Sequence, residues 1–277
     1  MPSPYTEYFE NRFNDGKPDC SAGETYPFIQ RTLGRRTVRR FTDQVPIDEL
    51  LDLLTASALS ASSKSDFQQT SILRVTDSAL RQAIGHLFPA MPWIGNAPVF
   101  FVFLGDARRL QQVGELRGKP VNNGNMEGFF NATVDAALAL QTFILCAESA
   151  GLGCCPISVI RNRIDEVAAL LGLPDQVFPV AGVCVGYPCE AGNVSLRLPR
   201  QITIHHNRYS DVDLAPHVDN YDQRRHARHA LSPGQQRLTG TYGVADFYGW
   251  SEDKARQACE AEGAAFPIYL KAHGFSF

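Results

Sequence analysis

Nowhere does this chain carry the ~18 consecutive apolar residues of a membrane-crossing helix. Its best apolar run, Pro98-Val-Phe-Phe-Val-Phe-Leu104, has the length of a strand. Positive charge is not in excess either: 26 Lys+Arg against 29 Asp+Glu leave 277 residues with a net charge of −3. Generic nucleic-acid and membrane-surface binders are basic, so this balance argues against both kinds of partner. The N-terminus is polar through Glu7, Glu10, Arg12 and Asp15 and has no apolar signal core, so a cytoplasmic location is expected. Seven cysteines, an odd number partly set in apolar runs, fit reduced buried thiols better than a disulfide frame. Cys154-Cys155 is not a CxxC pair and no His stands at helical ligand spacing to the cysteines, so no metal site is expected.

Several motifs are missing as well. There is no Walker A sequence, no G-x-S-x-G elbow and no H-E-x-x-H. Gly151-Leu-Gly153-Cys-Cys-Pro156 follows a helical segment rather than a strand and ends on proline, so it fails as a dinucleotide loop. His205 and His206 would point to opposite faces of a strand, and His226 and His229 sit among Arg224, Arg225 and Arg228, which reads as a solvated basic helix face. No internal repeat or low-complexity segment is found.

What is present is a folding composition, 44% hydrophobic and 10% aromatic. Residues 1–23 read as a loosely held arm, 24–210 as the core and 211–277 as a helical extension of the same domain. Within the core the pattern predicts helices over 24–33, with Gly34 as a left-handed terminus, from Pro46, from Asp77 to about Leu87, over 127–150 and over 164–171. Strands are expected at 70–75, 98–104, 155–159 and 177–185, with 202–206 as an edge or exchanged strand. Further helices are expected near 217–230 and 251–262. Helices and strands mix without regular βαβ alternation, which favours an α+β sandwich. The helix over 127–150 has a small-residue face, Ala132, Ala136, Ala139 and Ala147, suited to a core or to a subunit interface.

The densest chemistry lies in Arg31, Arg35, Arg36, Arg39 and Arg40, a run with Thr37 inside it and no acid. Such guanidinium groups repel one another unless an anion meets them, and arginine suits phosphate and planar carbonyl groups. A solvated charge run, a nucleic-acid contact and a phosphorylated small molecule are the alternatives. Arg197, in Leu196-Arg-Leu-Pro199, and the hydroxyl loop Ser60, Ser62, Ser63 and Ser65 add donors that fit a cofactor with a phosphate and a polar ring.

In this order, Arg35-Arg-Thr-Val-Arg-Arg-Phe-Thr-Asp43, Ser62-Ser-Lys-Ser65 with Ser71-Ile-Leu-Arg-Val75, Ala147-Glu-Ser-Ala-Gly-Leu-Gly153, Gly186-Tyr-Pro188 and Arg197-Leu-Pro199 resemble the nitroreductase family of FMN-dependent oxidoreductases. The likeness is to its oxygen-insensitive NADPH nitroreductase and flavin reductase branch. It implies a three-layer α+β sandwich, a mainly antiparallel central sheet flanked by helices, in a homodimer that exchanges strands and holds FMN at the subunit interface. By the resemblance, Arg35, Arg36, Thr37 and Arg197 surround the phosphate and ribityl chain, and Arg39 meets the pyrimidine edge of the flavin. Ser63, Lys64 and Ser65 fall on the serine loop, Met91 where an amide would bond the ring, and Pro156, Ile157, Ser158 and Val159 along the isoalloxazine. Ser195 stands where the family carries a lysine, and the neighbours of Gly263 lack an arginine expected at an NADPH 2′-phosphate. The implied activity is ping-pong transfer from NADPH or NADH through FMN to a small electron-poor acceptor: a nitroaromatic, a quinone or a flavin. No side chain is required as a catalytic nucleophile or acid. A flavin carrier or sensor without turnover, and a family member specialised for another substrate, are the alternatives.

Overall fold

The computed structural model describes residues 5–14 and 26–277. By its contacts the chain divides into two units, Met1–Arg36 with Asn193–Ala261 and Thr37–Gly192 with Glu262–Phe277. Neither unit is continuous in sequence, unlike the expected boundaries at 23 and 210. The helices are α1 (Thr6–Arg12), α2 (Pro27–Gly34), α3 (Asp48–Leu59), α4 (Ser78–His86), α5 (Trp93–Asn96), α6 (Arg108–Leu116), α7 (Met126–Ser149), α8 (Ile164–Leu171), α9 (Leu214–Arg228), α10 (Thr239–Tyr242), α11 (Trp250–Ala258) and α12 (Phe266–Ala272). The strands are β1 (Thr70–Arg74), β2 (Val99–Asp106), β3 (Gly153–Ile157) and β4 (Val177–Gly186).

The four strands build one sheet in the second unit, in the order β1-β2-β4-β3, with every neighbouring pair antiparallel. All eight residues of β2 are buried, as its unbroken apolar run requires of a strand covered on both faces. Alternate side chains feed two layers. Phe101, Phe103, Val183 and Cys154 pack with Leu51 and Leu54 of α3 and with Ala139, Phe143 and Ala147 of α7. Phe100, Val102, Cys155 and Cys184 pack on the opposite side with Ile84 of α4, Ile94 of α5, Ile160 and Val167. Phe143 meets the edges of Phe101 and Phe103 at 5.1 and 5.5 Å between ring centroids, a contact whose truncation to alanine costs about 3–5 kcal/mol. The result is the expected α+β three-layer sandwich.

Local signals start the helices. The Asp77 carboxylate accepts from Ala79 N and Leu80 N at the head of α4, and Asn125 Oδ1 accepts from Gly128 N at the head of α7. At 24 residues, α7 has the length and apolarity of a membrane span. Its alanine face is buried against the sheet, and the four-residue repeat Met126, Phe130, Val134, Leu138 is exposed.

The first unit joins α1 and α2 to α9, α10 and α11. Tyr221 of α9 meets Trp250 of α11 edge-to-face at 5.5 Å, and the Asp222 carboxylate accepts from Ser251 N at 3.0 Å. Residues 5–14 of the expected arm are held: Arg224 donates to Phe13 O, and Arg228 to Asn11 O and Glu10 O. These two arginines therefore cap α1, where the sequence suggests a solvated basic face. Residues 1–4 and 15–23 of the arm lie outside the described residues, as do 24 and 25 of the expected helix.

Other differences are local. Gly34 keeps an ordinary negative φ; a Cβ there would stand 3.2 Å from the Tyr8 ring, which would have to shift slightly to admit it. Residues 202–206 form no strand, only a 3-10 turn at Arg200–Ile202 followed by irregular chain, since among the described residues of its unit no strand lies alongside to pair with it.

Candidate active site

In the first unit, the segments carrying Arg35 and Arg197 are tied together by a third arginine. Arg12 is buried, and its guanidinium donates from Nε to Leu33 O at 2.8 Å, from Nη1 to Ser195 O at 3.0 Å and from Nη2 to Arg35 O. Arg197 N returns a bond to Arg12 O at 2.8 Å. A planar fork spanning three carbonyls fixes the relative placement of two strongly cationic segments, which lysine cannot do. Arg36 is exposed. Arg197 lines a cavity of about 580 Å³ with Tyr221 and Trp250, and Tyr221 Oη donates to Leu196 O at 3.2 Å, holding the loop that carries it.

In the second unit, the chain from Thr37 runs along β3. Val38 N donates to Cys154 O at 3.0 Å, and the approach is close enough that a Cβ on Gly153 would fall 2.7 Å from that of Val38. Thr42 N donates to Tyr187 O at 2.9 Å, and Arg40 pairs with Glu190 at 3.2 Å. Arg39 is exposed and lies over the Trp93 ring at 5.6 Å. Met91, Trp93 and Val159 are half-buried against the cluster that contains Ile157 and Ile160. Pro156 is the one exposed residue of β3, and Ser158 beyond it is exposed too. Proline has no N–H and Ile157 pairs with Gly182 in the β3–β4 ladder, so the remaining backbone donors of this stretch are Ser158 and Val159. The segment from Val38 to Thr42 thus runs past Cys154 toward Tyr187, and Arg39 reaches Trp93, which packs in the same layer as Met91, Ile157 and Val159.

The serine loop lies elsewhere in this unit. Ser62 and Ser63 line a second cavity, of about 900 Å³, with Thr55 of α3, Ser71 of β1 and Asp135 of α7; Arg39, Met91 and 156–159 are not in its lining. The loop is tightly shaped. Ser65, Asp66 and Gln68 have φ of +51°, +59° and +52°, a left-handed backbone that non-glycine residues rarely adopt. Ser63 Oγ accepts from Gln68 N at 2.8 Å, and Lys64 Nζ donates to Ser65 Oγ at 3.0 Å. The buried Asp135 carboxylate accepts from Lys64 N at 2.9 Å and Gln69 N at 3.0 Å, so α7 holds both ends of the strained turn.

Arg12 and Asp135 escape the sequence reading. Asp135 had a signal, a carboxylate set between Ala132, Ala136 and Ala139 on a helix face otherwise fit for burial. Arg12 had none. Cys154 and Cys155 are buried in opposite layers, and Cys155 faces Cys184 across β3 and β4. Burial first, then the neighbouring Cys155 and Cys154, pushes the Cys184 thiol well above its ordinary range, which marks it as unreactive packing.

The nitroreductase family model matches residues 32–187. The chain is 39% identical over 199 residues to an FMN reductase (NADPH) of Bacillus subtilis, covering 70% of this chain and 80% of that one. It is 36% identical over 251 residues to the oxygen-insensitive NADPH nitroreductase of Salmonella typhimurium, covering 90% and 98%. Among solved structures, the NADPH:FMN oxidoreductase of Vibrio harveyi complexed with NAD+ superposes with a TM-score of 0.79 at 28% identity, covering 90% and 99%. The match in sequence runs through the Thr37–Arg39 segment, the serine loop and β3, and the match in fold extends over both units: this chain belongs to the nitroreductase family.

Proposed function

We propose that the protein is an FMN-dependent NAD(P)H oxidoreductase acting in the cytoplasm as a homodimer. The observation that carries this reading is the likeness to FMN-reducing and nitro-reducing relatives over up to nine-tenths of the chain. The residues present fit FMN: arginine segments locked together by Arg12 suit a phosphate, Arg39 is exposed over the Trp93 ring with its charge open to a polar ring edge, and the exposed Pro156 offers an apolar surface. When bound, FMN supplies two-electron transfer in ping-pong order from NADPH or NADH to a nitroaromatic, a quinone or a flavin.

The chain's own part is binding and electrostatics. Arg35, Arg36, Thr37 and Arg197 hold the phosphate and ribityl chain. Arg39 sets a positive charge at the pyrimidine edge, where negative charge grows on reduction. Met91 and 156–159 form the ring's surroundings. The serine loop, with Ser63, Lys64 and Ser65, serves from a second copy of the chain, because within one chain Ser62 and Ser63 line a different cavity. The exposed stripe of α7 meets its counterpart in that copy, and 202–206 pairs with a sheet only there.

An absorbance spectrum of the purified protein, followed by anaerobic NADPH and then NADH, tests the reading. Flavin peaks that bleach support it and rank the two donors. Flavin peaks that persist turn the reading into a carrier or sensor. A colourless protein that takes up no added FMN removes it.

A further inference from the structure

Three arginines follow closely on α9, and they do different things. Arg224 and Arg228 donate to carbonyls at the end of α1. Arg225 between them is half-buried, and no side chain or carbonyl among the described residues pairs with its guanidinium. Asp253, which borders a small crevice with Arg225, is already engaged by Lys254 at 2.7 Å, by Arg237 at 3.4 Å and by Tyr248 Oη at 3.1 Å.

Arg225 instead lines the same cavity as Arg197. Around it stand Ser195, Thr203, Tyr221 and Trp250, and no carboxylate is among the described residues of the lining. Two unpaired cations facing one space raise its potential and attract an anion. Arg197 has only two weak bonds, at 3.3 Å, from Nη1 to the carbonyls of Ser195 and Leu196, so most of its fork remains available. A phosphate monoester carries close to two negative charges at neutral pH and has three acceptor oxygens, which matches two guanidinium forks better than a carboxylate does. At about 580 Å³ the cavity exceeds a phosphate, and the Trp250 ring in its wall offers a surface to whatever carries the group.

We propose that Arg225 and Arg197 together form a binding site for a phosphate monoester, with Arg225 the second cation of the site. The proposal rests on the flavin-enzyme reading only for the source of the ester, which is either the 5′-phosphate of FMN or the 2′-phosphate of NADPH.

The test compares wild type, Arg225→Leu and Arg225→Lys in two ratios: affinity for FMN over riboflavin, and kcat/KM for NADPH over NADH. One ratio falls about ten-fold or more in Arg225→Leu and recovers in part in Arg225→Lys, the size expected for a lost bond to a charged group. A fall in the first ratio identifies the 5′-phosphate, and a fall in the second the 2′-phosphate. Both ratios unchanged overturns the site while leaving the flavin reading intact. If Arg225→Leu fails to fold, Arg225→Gln and Arg225→Lys carry the same comparison. If the wild type takes up no flavin, the functional reading fails by itself. The site is then judged by titrating inorganic phosphate against Trp250 fluorescence in a Trp93→Phe background. A saturable change that Arg225→Lys weakens supports the site, and a flat response overturns it.

Discussion

Asp135 and Lys64 lie 71 residues apart in sequence, and the carboxylate of the first accepts the backbone N–H of the second at 2.9 Å. Its other oxygen takes Gln69 N, so one buried acid on α7 closes both ends of a loop with three left-handed residues. Asp135→Ala strips two backbone donors of their acceptor and should cost about 2–3 kcal/mol in urea unfolding, with Asp135→Asn recovering part. Amide exchange should speed up at Lys64 and Gln69 and stay slow along β2. Unchanged exchange at both amides would refute the pinning role.

Arg12→Lys is expected to act as a loss of function despite keeping the charge. Lysine cannot bridge Leu33 O, Ser195 O and Arg35 O in one plane, so the two arginine segments lose their common anchor. FMN affinity should drop about ten-fold or more, and riboflavin, which has no phosphate, should lose less. Equal losses for the two would show that Arg12 stabilises the unit without shaping a phosphate site.

Arg39 and Arg197 should separate chemistry from binding. Arg39→Ala should retain FMN and slow its reduction by NADPH by about ten-fold or more, because in the proposed site the removed charge faces the edge where electron density accumulates. Arg197→Ala should mainly weaken FMN binding. An unaltered FMN dissociation constant in Arg197→Ala contradicts the phosphate assignment.

Phe130, Val134 and Leu138 repeat along the exposed face of α7. Placing carboxylates there, as in Val134→Glu with Leu138→Glu, should shift the protein from dimer to monomer in light scattering and release its FMN together with the partner's serine loop. A stable dimer in this variant would move the subunit interface elsewhere.

Tyr269 offers a pH handle on folding. Burial, followed by the charges of Asp165 and Asp175, pushes its hydroxyl up to about 12, and Tyr269 Oη donates to Val177 O at 3.3 Å. The unfolded chain releases this proton near pH 10 and the native protein later, so stability from this group is full below about pH 10 and falls by up to about 1.4 kcal/mol per pH unit as the pH rises toward 12. Tyr269→Phe should be about 1 kcal/mol less stable at pH 7 and should show a shallower alkaline decline. Parallel urea midpoints from pH 9 to 11 would argue against it.

Much of the second unit was legible because its elements declare themselves locally. β2 is an apolar run of strand length, α4 opens on a capping aspartate, and α7 carries a small-residue face. By contrast α6 has a periodic but thin apolar side, Leu110, Val113 and Leu116, of which the last two stay exposed, and α12 hides behind Pro267, which is tolerated in a first helical turn. The site divides the same way. Arginine and serine segments stand out by composition, but what joins them does not. Arg12 acts through backbone carbonyls at 33, 35 and 195, and a bond to a carbonyl leaves no trace in the type of residue that supplies it.

The two edges of the sheet are unequally protected against unwanted strand pairing. On β3, Pro156 removes a donor and the chain through Val38 already occupies Cys154 O, so an approaching strand finds no continuous ladder. On β1 the protection is a single guanidinium: Arg109 Nη1 takes the carbonyls of Gln68 and Thr70 at 2.6 and 3.1 Å, at one end of the strand. Within one chain, no further backbone partner lies along the outer edge of Ile72 to Arg74 among the described residues. Aggregates seeded by partly opened molecules should therefore grow from β1, and loss of Arg109 should hasten them before it measurably lowers the melting temperature.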